Sequence, residues 1–244
     1  MLAVLTILAV AMTDLIRLTK AHVSARAVQF VQLGWWLAVI FAAAIWVRPE
    51  AWVGAVAAIV AAAWYFGAER MDRPKQADDS APSTSELYAW TAVALVVVIA
   101  GFAWLDVVVL QSFVPAGLMW LALALFLTQT SNRITRAVLL LSGRGADEAP
   151  AAPGSMPASR LKGGRVIGPL ERIFIMVLTV VGAYHVVAAL MAAKGIVRFP
   201  EISAEAKRDD APAEVGSKAE EFLVGSLASW GLAGGAGLLA WMFV

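Results

Sequence analysis

Apolar runs of about 20 residues recur along this chain, with short charged or proline-containing connections between them. An α-helix rises by about 1.5 Å per residue, so a run of about 20 residues matches the thickness of a bilayer core. The run at 170–193 is typical, since few polar residues interrupt it and charged residues lie near both of its ends. This recurrence predicts an all-α fold, a compact polytopic bundle of about seven transmembrane helices.

The composition of the 244-residue chain excludes several classes of function. Hydrophobic residues make up 61% and charged residues 15%, whereas soluble domains usually have about 45–50% and about 25%. The net charge is only +1, and the positive residues lie in loops rather than in one stripe, which argues against nucleic-acid binding. With no cysteine, the chain has no disulfide, no Cys-ligated zinc and no Cys nucleophile. We predict no cofactor and no metal.

The limits of the apolar runs predict seven helices in three regions. Region 1–141 is a five-helix membrane region, 142–164 is a flexible cytoplasmic loop rich in Ala, Pro, Gly and Ser, and 165–244 holds two helices joined by a polar loop at 201–221. The predicted helices cover 1–18, 27–47, 51–68, 87–110, 115–127 with a continuation to 141, 170–193 and 222–244. A signal peptide is the alternative interpretation of 1–18. No Lys or Arg precedes that run, however, which favours a retained helix.

Lysine and arginine residues concentrate in the connections after helices one, three and five. Such residues favour the cytoplasmic side, so the N-terminus is predicted to lie outside. The connection after helix six breaks this pattern, because 194–221 also holds five Lys and Arg residues although simple counting places it outside.

Two interpretations of 170–194 remain open. In the one we favour, the run crosses the membrane as one helix, and acidic residues of the following connection offset the positive charge. In the other, 182–185 forms the tip of a re-entrant hairpin that returns the chain to the cytoplasm. Each arm of that hairpin would measure about 20 Å, against a hydrocarbon core of about 30 Å.

Three ionisable residues within or beside apolar runs are candidates for function. His185 lies in the sixth run and is a candidate for proton or ion movement, although a neutral histidine satisfied by one neighbour is the simpler interpretation. Asp106 is predicted to lie at the outer membrane interface, and the alternative is a buried basic partner. Asp14 precedes Arg17 by about one helical turn, which predicts a local ion pair.

The last predicted helix carries Gly231 and Gly235 at the GxxxG spacing. Small residues at this spacing let two helix backbones approach closely, so we predict a packing face for another helix of this chain or of a second chain. A separate basic group could recognise anionic lipid headgroups, although membrane orientation already explains most of its members. The group consists of Lys162, Arg165, Arg172, Lys194 and Arg198.

Three short segments, 164–172, 192–199 and 219–227, resemble in order and spacing the bacterial membrane-protein family called domain of unknown function 3307. The resemblance covers the C-terminal third, implies a polytopic bacterial membrane protein and implies no activity. The first 160 residues depart from the family, whose N-terminal segment with aspartate and histidine is missing here apart from a trace at Thr13 and Asp14. In these three segments, charged residues lie at the ends of the predicted helices. They can form one ion-pair cluster only if helix six is a re-entrant hairpin. These are Glu171, Arg172, Lys194, Arg198 and Glu221.

Sequence motifs of metalloproteases, P-loop NTPases and serine hydrolases are absent. We therefore predict a non-catalytic integral protein of the bacterial inner membrane, a structural or accessory subunit of a membrane complex. One alternative is a small transporter or channel that uses His185 at mid-membrane, and a third is a membrane enzyme on a lipid-linked substrate with Glu171 and Asp14 as candidate groups. The predicted partners are the bilayer, another membrane protein or a second copy, and anionic lipid headgroups, but no nucleic acid.

Overall fold

A computed structural model describes residues 1–19, 23–46, 52–72, 84–111, 113–143, 164–208 and 212–243, with backbone alone at 84–85, 164–166, 198–208 and 212–218. Regular structure in these residues is helical throughout, which confirms the all-α prediction. The helices are α1 (Leu2–Leu18), α2 (Ala25–Trp46), α3 (Trp52–Met71), α4 (Thr84–Leu105), α5 (Ala116–Leu125), α6 (Ser131–Leu141), α7 (Gly164–Val180), α8 (Tyr184–Arg208) and α9 (Pro212–Phe243). The predicted flexible loop 142–164 lies outside the described residues except at its two ends.

Helix α1 lies at the centre of the bundle. Most of its side chains are buried, including Leu2, Ile7 and Val10, and it packs against α2, α3, α4 and α5. A polar side chain on such a helix cannot reach water, so neighbouring helices must satisfy it. This position explains why the polar residues of α1 have partners from distant parts of the chain.

Four helical stretches in the described part are long and apolar enough to cross a membrane: Ala25–Trp46, Trp52–Met71, Glu86–Leu110 and Ala219–Phe243. The outer surface of α2 fits such an environment, because Phe30, Leu37 and Phe41 are 73%, 66% and 67% exposed. Helices α1 and α7 have 17 residues each, fewer than the roughly 20 that a crossing helix needs. The count of seven crossing helices is therefore not confirmed.

Two π-helical turns interrupt the α-helical pattern. One follows α4 at Asp106–Leu110, and the other joins α5 to α6 at Phe126–Thr130. Hydrogen bonds in a π turn run from residue i to i+5, and single π turns inside α-helices are frequent at functional sites. Both turns of this protein carry contacts between helices that are far apart in sequence.

The segment 170–193 is not one helix. Helix α7 ends at Val180, Gly182 adopts a φ of 73°, and α8 begins at Tyr184. Positive φ is readily adopted by glycine, which has no Cβ. Helix α8 then returns beside α7, so that Lys194 contacts Glu171. The favoured prediction of a continuous crossing helix is therefore wrong, and 165–244 contains a helical hairpin followed by α9.

Helix α9 runs parallel to α7 and packs closely against it. Arg172 contacts Ser229 near the start of the interface, and Gly237 lies beside Thr179 further along. A Cβ atom at Gly237 would lie 2.6 Å from the Thr179 Cβ, so the absence of a side chain permits this approach. The predicted polar loop at 201–221 is largely helical instead, since the backbone at 201–208 continues α8 and that at 212–221 begins α9.

Candidate functional site

Asp14 carries the single carboxylate of α1 and is 0% exposed. Its Oδ2 atom accepts hydrogen bonds from the Trp64 indole at 3.0 Å and the Thr130 hydroxyl at 2.7 Å. Its Oδ1 atom lies 3.4 Å from Nε of Arg133. Helices α1, α3 and α6 thus meet on one charged group, which has donors and a counter-ion in apolar surroundings.

Arginine side chains surround Asp72 at the end of α3. Its carboxylate lies 3.2 Å from Arg133, 3.6 Å from Arg136 and 3.7 Å from Arg17. Arg17 also donates a hydrogen bond to the Tyr65 carbonyl at 3.3 Å and lies over the Tyr65 ring. We call this end of the bundle the basic end, and we call the ionic network of Asp14, Arg17, Asp72, Arg133 and Arg136 the Asp14 cluster.

The predicted local ion pair between Asp14 and Arg17 is not present. Asp14 pairs with Arg133 of α6, and Arg17 turns toward α3. A partly exposed i, i+3 pair contributes a few tenths of a kcal/mol, roughly 0.2–0.5, whereas a fully buried carboxylate needs several partners. Distant partners replace the local one for this reason.

Helix α2 joins the same region through uncharged groups. The Thr13 hydroxyl accepts hydrogen bonds from the Gln32 amide at 2.7 Å and the Trp36 indole at 3.1 Å. It also donates to the Ala9 carbonyl at 2.8 Å. Gln32 is 2% exposed, and the Trp35 indole donates to the Ala9 carbonyl at 3.3 Å. Helix α2, which is otherwise peripheral, is thus attached to α1 by specific polar contacts.

Arg172 is another buried charged residue and is 6% exposed. Its Nη1 atom donates to the Leu127 and Thr128 carbonyls, at 3.1 and 3.4 Å, and to the Ser131 hydroxyl at 2.7 Å. Its Nε atom donates to the Ser229 hydroxyl at 2.6 Å. The two carbonyls belong to the π turn Phe126–Thr130, and each carbonyl oxygen has two lone pairs. The π turn therefore acts as the acceptor surface for this guanidinium, and no carboxylate of the described residues lies within ion-pair distance of it.

Glu171 and Lys194 form an ion pair across the α7–α8 hairpin. The Lys194 ammonium donates to the Glu171 carboxylate at 2.5 Å, and their side chains are 37% and 15% exposed. The Trp230 indole donates to the other Glu171 oxygen at 2.9 Å, and Lys194 lies 5.5 Å from the centre of the Trp230 ring. We call Glu171, Arg172 and Lys194 the hairpin cluster. It confirms the contact that the hairpin interpretation required for Glu171 and Lys194.

The two clusters come together at consecutive residues of one helix. Thr130 donates to Asp14 on one side, and Ser131 accepts from Arg172 on the other. Both residues are fully buried. The end of the π turn is therefore the point where the first six helices and the α7–α9 unit share polar contacts.

A groove of about 760 Å³ lies beside the hairpin cluster. Its walls are apolar side chains of α7 and α8, with Glu171 and Lys194 as its charged residues. The lining residues are Ile167, Leu170, Glu171, Phe174, Leu190, Ala193, Lys194 and Val197. Several of the apolar ones are largely exposed, including Leu170 at 65% and Val197 at 68%. The groove thus combines a wide apolar surface with one ion pair.

The structure places Asp106 in the interior, not at an interface. It is 0% exposed, and its carboxylate accepts hydrogen bonds from the backbone N–H groups of Leu2 at 3.0 Å and Ala3 at 2.8 Å. The Met1 nitrogen lies 2.8 Å from it. The interface prediction is therefore wrong, because the carboxylate satisfies unpaired N–H groups at the start of α1.

The remaining candidates belong to neither cluster, or their side chains lie outside the described residues. His185 is exposed in the first turn of α8, next to the hairpin turn. Glu221 is exposed on α9, and the side chain of Arg198 lies outside the described residues. Gly231 and Gly235 are exposed on α9 and would have open space for a Cβ atom.

Several residues that belong to the clusters or contact them were not predicted from the sequence, namely Trp64, Asp72, Thr130, Ser131, Arg133 and Ser229. One signal was available for Arg133, since a carboxylate inside an apolar helix needs a basic partner. The polar start of α6 offered one in Ser-Asn-Arg, at 131–133. No comparable signal identifies Trp64 or Ser229, which resemble many other residues of the chain.

In the described part of the chain, no group of three or more His, Asp or Glu residues is arranged to hold a metal ion. Comparison with protein-family models, curated proteins and solved structures finds no match to this chain. The resemblance of the C-terminal third to domain of unknown function 3307 therefore stays a prediction.

Proposed function

We propose that this protein is a multi-pass protein of the bacterial inner membrane that acts by assembling with another membrane-spanning helix, not by catalysis. The observation that carries the proposal is the outer face of α9, where Gly231 and Gly235 are exposed with nothing packed against them among the described residues. GxxxG faces of this kind associate with a second helix in membranes because small residues let backbones approach.

A contrast within α9 supports this proposal. The Thr179 side chain and Met176 carbonyl of α7 occupy the space beside Gly237. The contact between α7 and α9 within this chain therefore uses Gly237 and not the GxxxG pair. Gly231 and Gly235 are left for an external helix. Beside them lies a cavity of about 150 Å³ between α9, α4 and α5, lined by Ala100, Leu123 and other apolar side chains. A side chain of a partner helix fits such a recess.

The hairpin also supports a consistent membrane orientation. Because α8 returns beside α7, the start of α7 and the part of α8 that follows Lys194 lie at the same end of the bundle as Arg17, Arg133 and Arg136. The positive charge from Lys194 onward then no longer conflicts with that of the other connections. In our proposal the basic end faces the cytoplasm and the start of α1 faces outside.

Cross-linking of the membrane-embedded protein tests the proposal. A photo-reactive residue at Leu238, which is 53% exposed on the same helix, is expected to capture one stoichiometric partner, either a second copy or a different membrane protein. Gly235→Leu should abolish this product, because a large side chain separates the backbones. Gly195→Leu is the matched control, since Gly195 also has open space but belongs to α8.

Three outcomes would overturn assembly through α9: capture of lipid alone, equal loss with both leucine variants, or equal capture with both. Mass spectrometry of the cross-linked product then distinguishes self-association from a different partner. The thermal stability of each variant in detergent shows whether the chain has kept its fold.

A further inference from the structure

We infer that the groove between α7 and α8 is a binding site for an anionic phospholipid, with one acyl chain on its apolar walls and the phosphate on Lys194. The inference needs membrane insertion but not the α9 partner, so it fails or succeeds separately from assembly. Its lining is apolar apart from Glu171 and Lys194. This combination matches a ligand with a long apolar part and one charged head.

The size and exposure of the groove fit this class of ligand. Its volume of about 760 Å³ lies within the range of about 300–1,000 Å³ for small-molecule sites. Phe174 and Leu170 are 51% and 65% exposed, so the walls are open at the lateral surface. In a bilayer this surface meets acyl chains, which pack on apolar side chains without the need to leave water.

The charge of the hairpin cluster selects an anion. Arg172 and Lys194 each carry one positive charge, and Glu171 is their single acidic companion among the three. Arg172 donates its hydrogen bonds to carbonyl and hydroxyl groups, and the nearby Glu171 carboxylate is already paired with Lys194. One phosphate charge therefore brings the cluster to neutrality, and uncompensated charge is costly at membrane depth.

Lys194 is the group that can contact the phosphate. Its side chain is 37% exposed, and it donates to Glu171 through one of its three N–H groups. Arg172, by contrast, is directed to the π turn and Ser229, so it contributes charge without contact. This separates the roles of two of the five basic residues that the sequence grouped together. Lys194 binds the headgroup, and Arg172 supplies charge.

The depth of the ion pair also fits a headgroup. Glu171 and Lys194 are separated from Gly182 by α7 and α8 segments that measure about 17 and 18 Å along their axes. Half of a hydrocarbon core is about 15 Å. Toward the hairpin turn, Phe174 and Leu190 line the groove, and beyond them Val177 and Val181 continue the exposed apolar surface. One acyl chain can lie along this surface while the ion pair lies nearer the basic end.

Native mass spectrometry of the full-length protein in detergent tests the site with dioleoyl phosphatidylglycerol as the probe. We expect one molecule bound more tightly than dioleoyl phosphatidylethanolamine or dioleoylglycerol, which share its chains. Ala193→Trp, which fills the groove, should abolish this first binding step. Ala192→Trp is the control, because Ala192 is exposed one residue away and does not line the groove.

The headgroup contact is tested by Lys194→Gln, which should weaken phosphatidylglycerol binding by about fivefold, while Lys194→Arg should retain most of it. The thermal stability of every variant is measured alongside, and Lys194→Gln is mild enough to keep the fold if a tryptophan variant does not. Equal affinity for the three lipids, or equal effects of Ala192→Trp and Ala193→Trp, would overturn the inference. So would a photo-reactive residue at Phe174 that captures a protein instead of lipid in the native membrane.

Discussion

The Asp14 cluster and the hairpin cluster lie side by side at the basic end, yet they use charge in opposite ways. Asp14 is 0% exposed and binds two uncharged donors and an arginine from other helices. Glu171 and Lys194 are 15% and 37% exposed at the wall of a groove. The first arrangement joins helices and leaves no space for a ligand on the carboxylate. The second leaves an ammonium group within reach of one.

The difference follows from the position of each helix. Helix α1 is surrounded by α2, α3, α4 and α5, so a charge on it is stable only when the protein itself supplies its partners. In the described part of the chain, the main contacts of helix α8 are with α7 and α9, so a charge on it can exchange partners with the surroundings. The burial of a charged side chain, more than its residue type, therefore indicates whether the charge joins helices or can bind a ligand.

The largest expected effect in this comparison is at Asp14. Asp14→Leu leaves Arg133 without its buried partner and Trp64 and Thr130 without their acceptor, and should lower the free energy of unfolding by about 3–5 kcal/mol. The equivalent change Glu171→Leu should lower it by about 1 kcal/mol or less, because that pair is partly solvated. Denaturant unfolding in mixed micelles measures both. Equal losses of unfolding free energy in the two variants would contradict the proposed difference between the clusters.

The next effect concerns the junction of the hairpin unit. Gly237→Leu places a side chain where the Thr179 Cβ and Met176 carbonyl already lie, and should destabilise the α7–α9 contact by about 1–3 kcal/mol. Gly234→Leu enters open space and should be close to neutral. The same unfolding assay compares them. If Gly237→Leu left the free energy of unfolding unchanged, α7 and α9 would pack less closely than the 2.6 Å distance at Gly237 requires.

A smaller effect is expected at the hairpin turn. Gly182→Ala introduces a Cβ atom at a φ of 73° and should cost roughly 1–2 kcal/mol. Gly195→Ala, within α8 and with open space around it, should stabilise the helix by up to about 1 kcal/mol. Thermal unfolding of the two variants should therefore shift in opposite directions. Shifts of the same sign would contradict a tight turn at Gly182.

The smallest effect is expected at His185. This side chain is exposed and belongs to neither cluster, so His185→Ala should change the free energy of unfolding by no more than about 0.5 kcal/mol. Binding of phosphatidylglycerol should also be unchanged. A large loss of stability or of phosphatidylglycerol binding would contradict this expectation and indicate a role for His185 at the tip of the hairpin.

Helix positions were largely predictable, whereas the contacts between helices were not. The run predicted at 1–18 is α1, and that predicted at 87–110 is α4 with its π turn. Length and apolar composition determine such elements locally. Thr130, in contrast, lies 116 residues from Asp14 in the chain. No local pattern indicates that pairing, which depends on how α1 and the π turn pack.

Two of the wrong predictions, those for Asp106 and for 170–193, have separate physical causes. Asp106 follows a long apolar run, so an interface position was the economical prediction, but the N–H groups at the start of α1 satisfy it in the interior. The break at Gly182 was visible in the sequence only through the excess of positive charge after it. That count was the correct signal, and the mainly apolar character of 170–193 was the misleading one.

Labelling of single cysteines tests the hairpin topology of α7 and α8, since the chain contains no cysteine of its own. Ser142→Cys and Glu221→Cys introduce thiols before α7 and after the hairpin, and Phe113→Cys introduces one at the opposite end, beyond α4. In sealed vesicles of known orientation, a membrane-impermeant maleimide should label positions 142 and 221 from the cytoplasmic side and position 113 from the other. Labelling of 142 and 221 from opposite sides would contradict the hairpin and the account built on it.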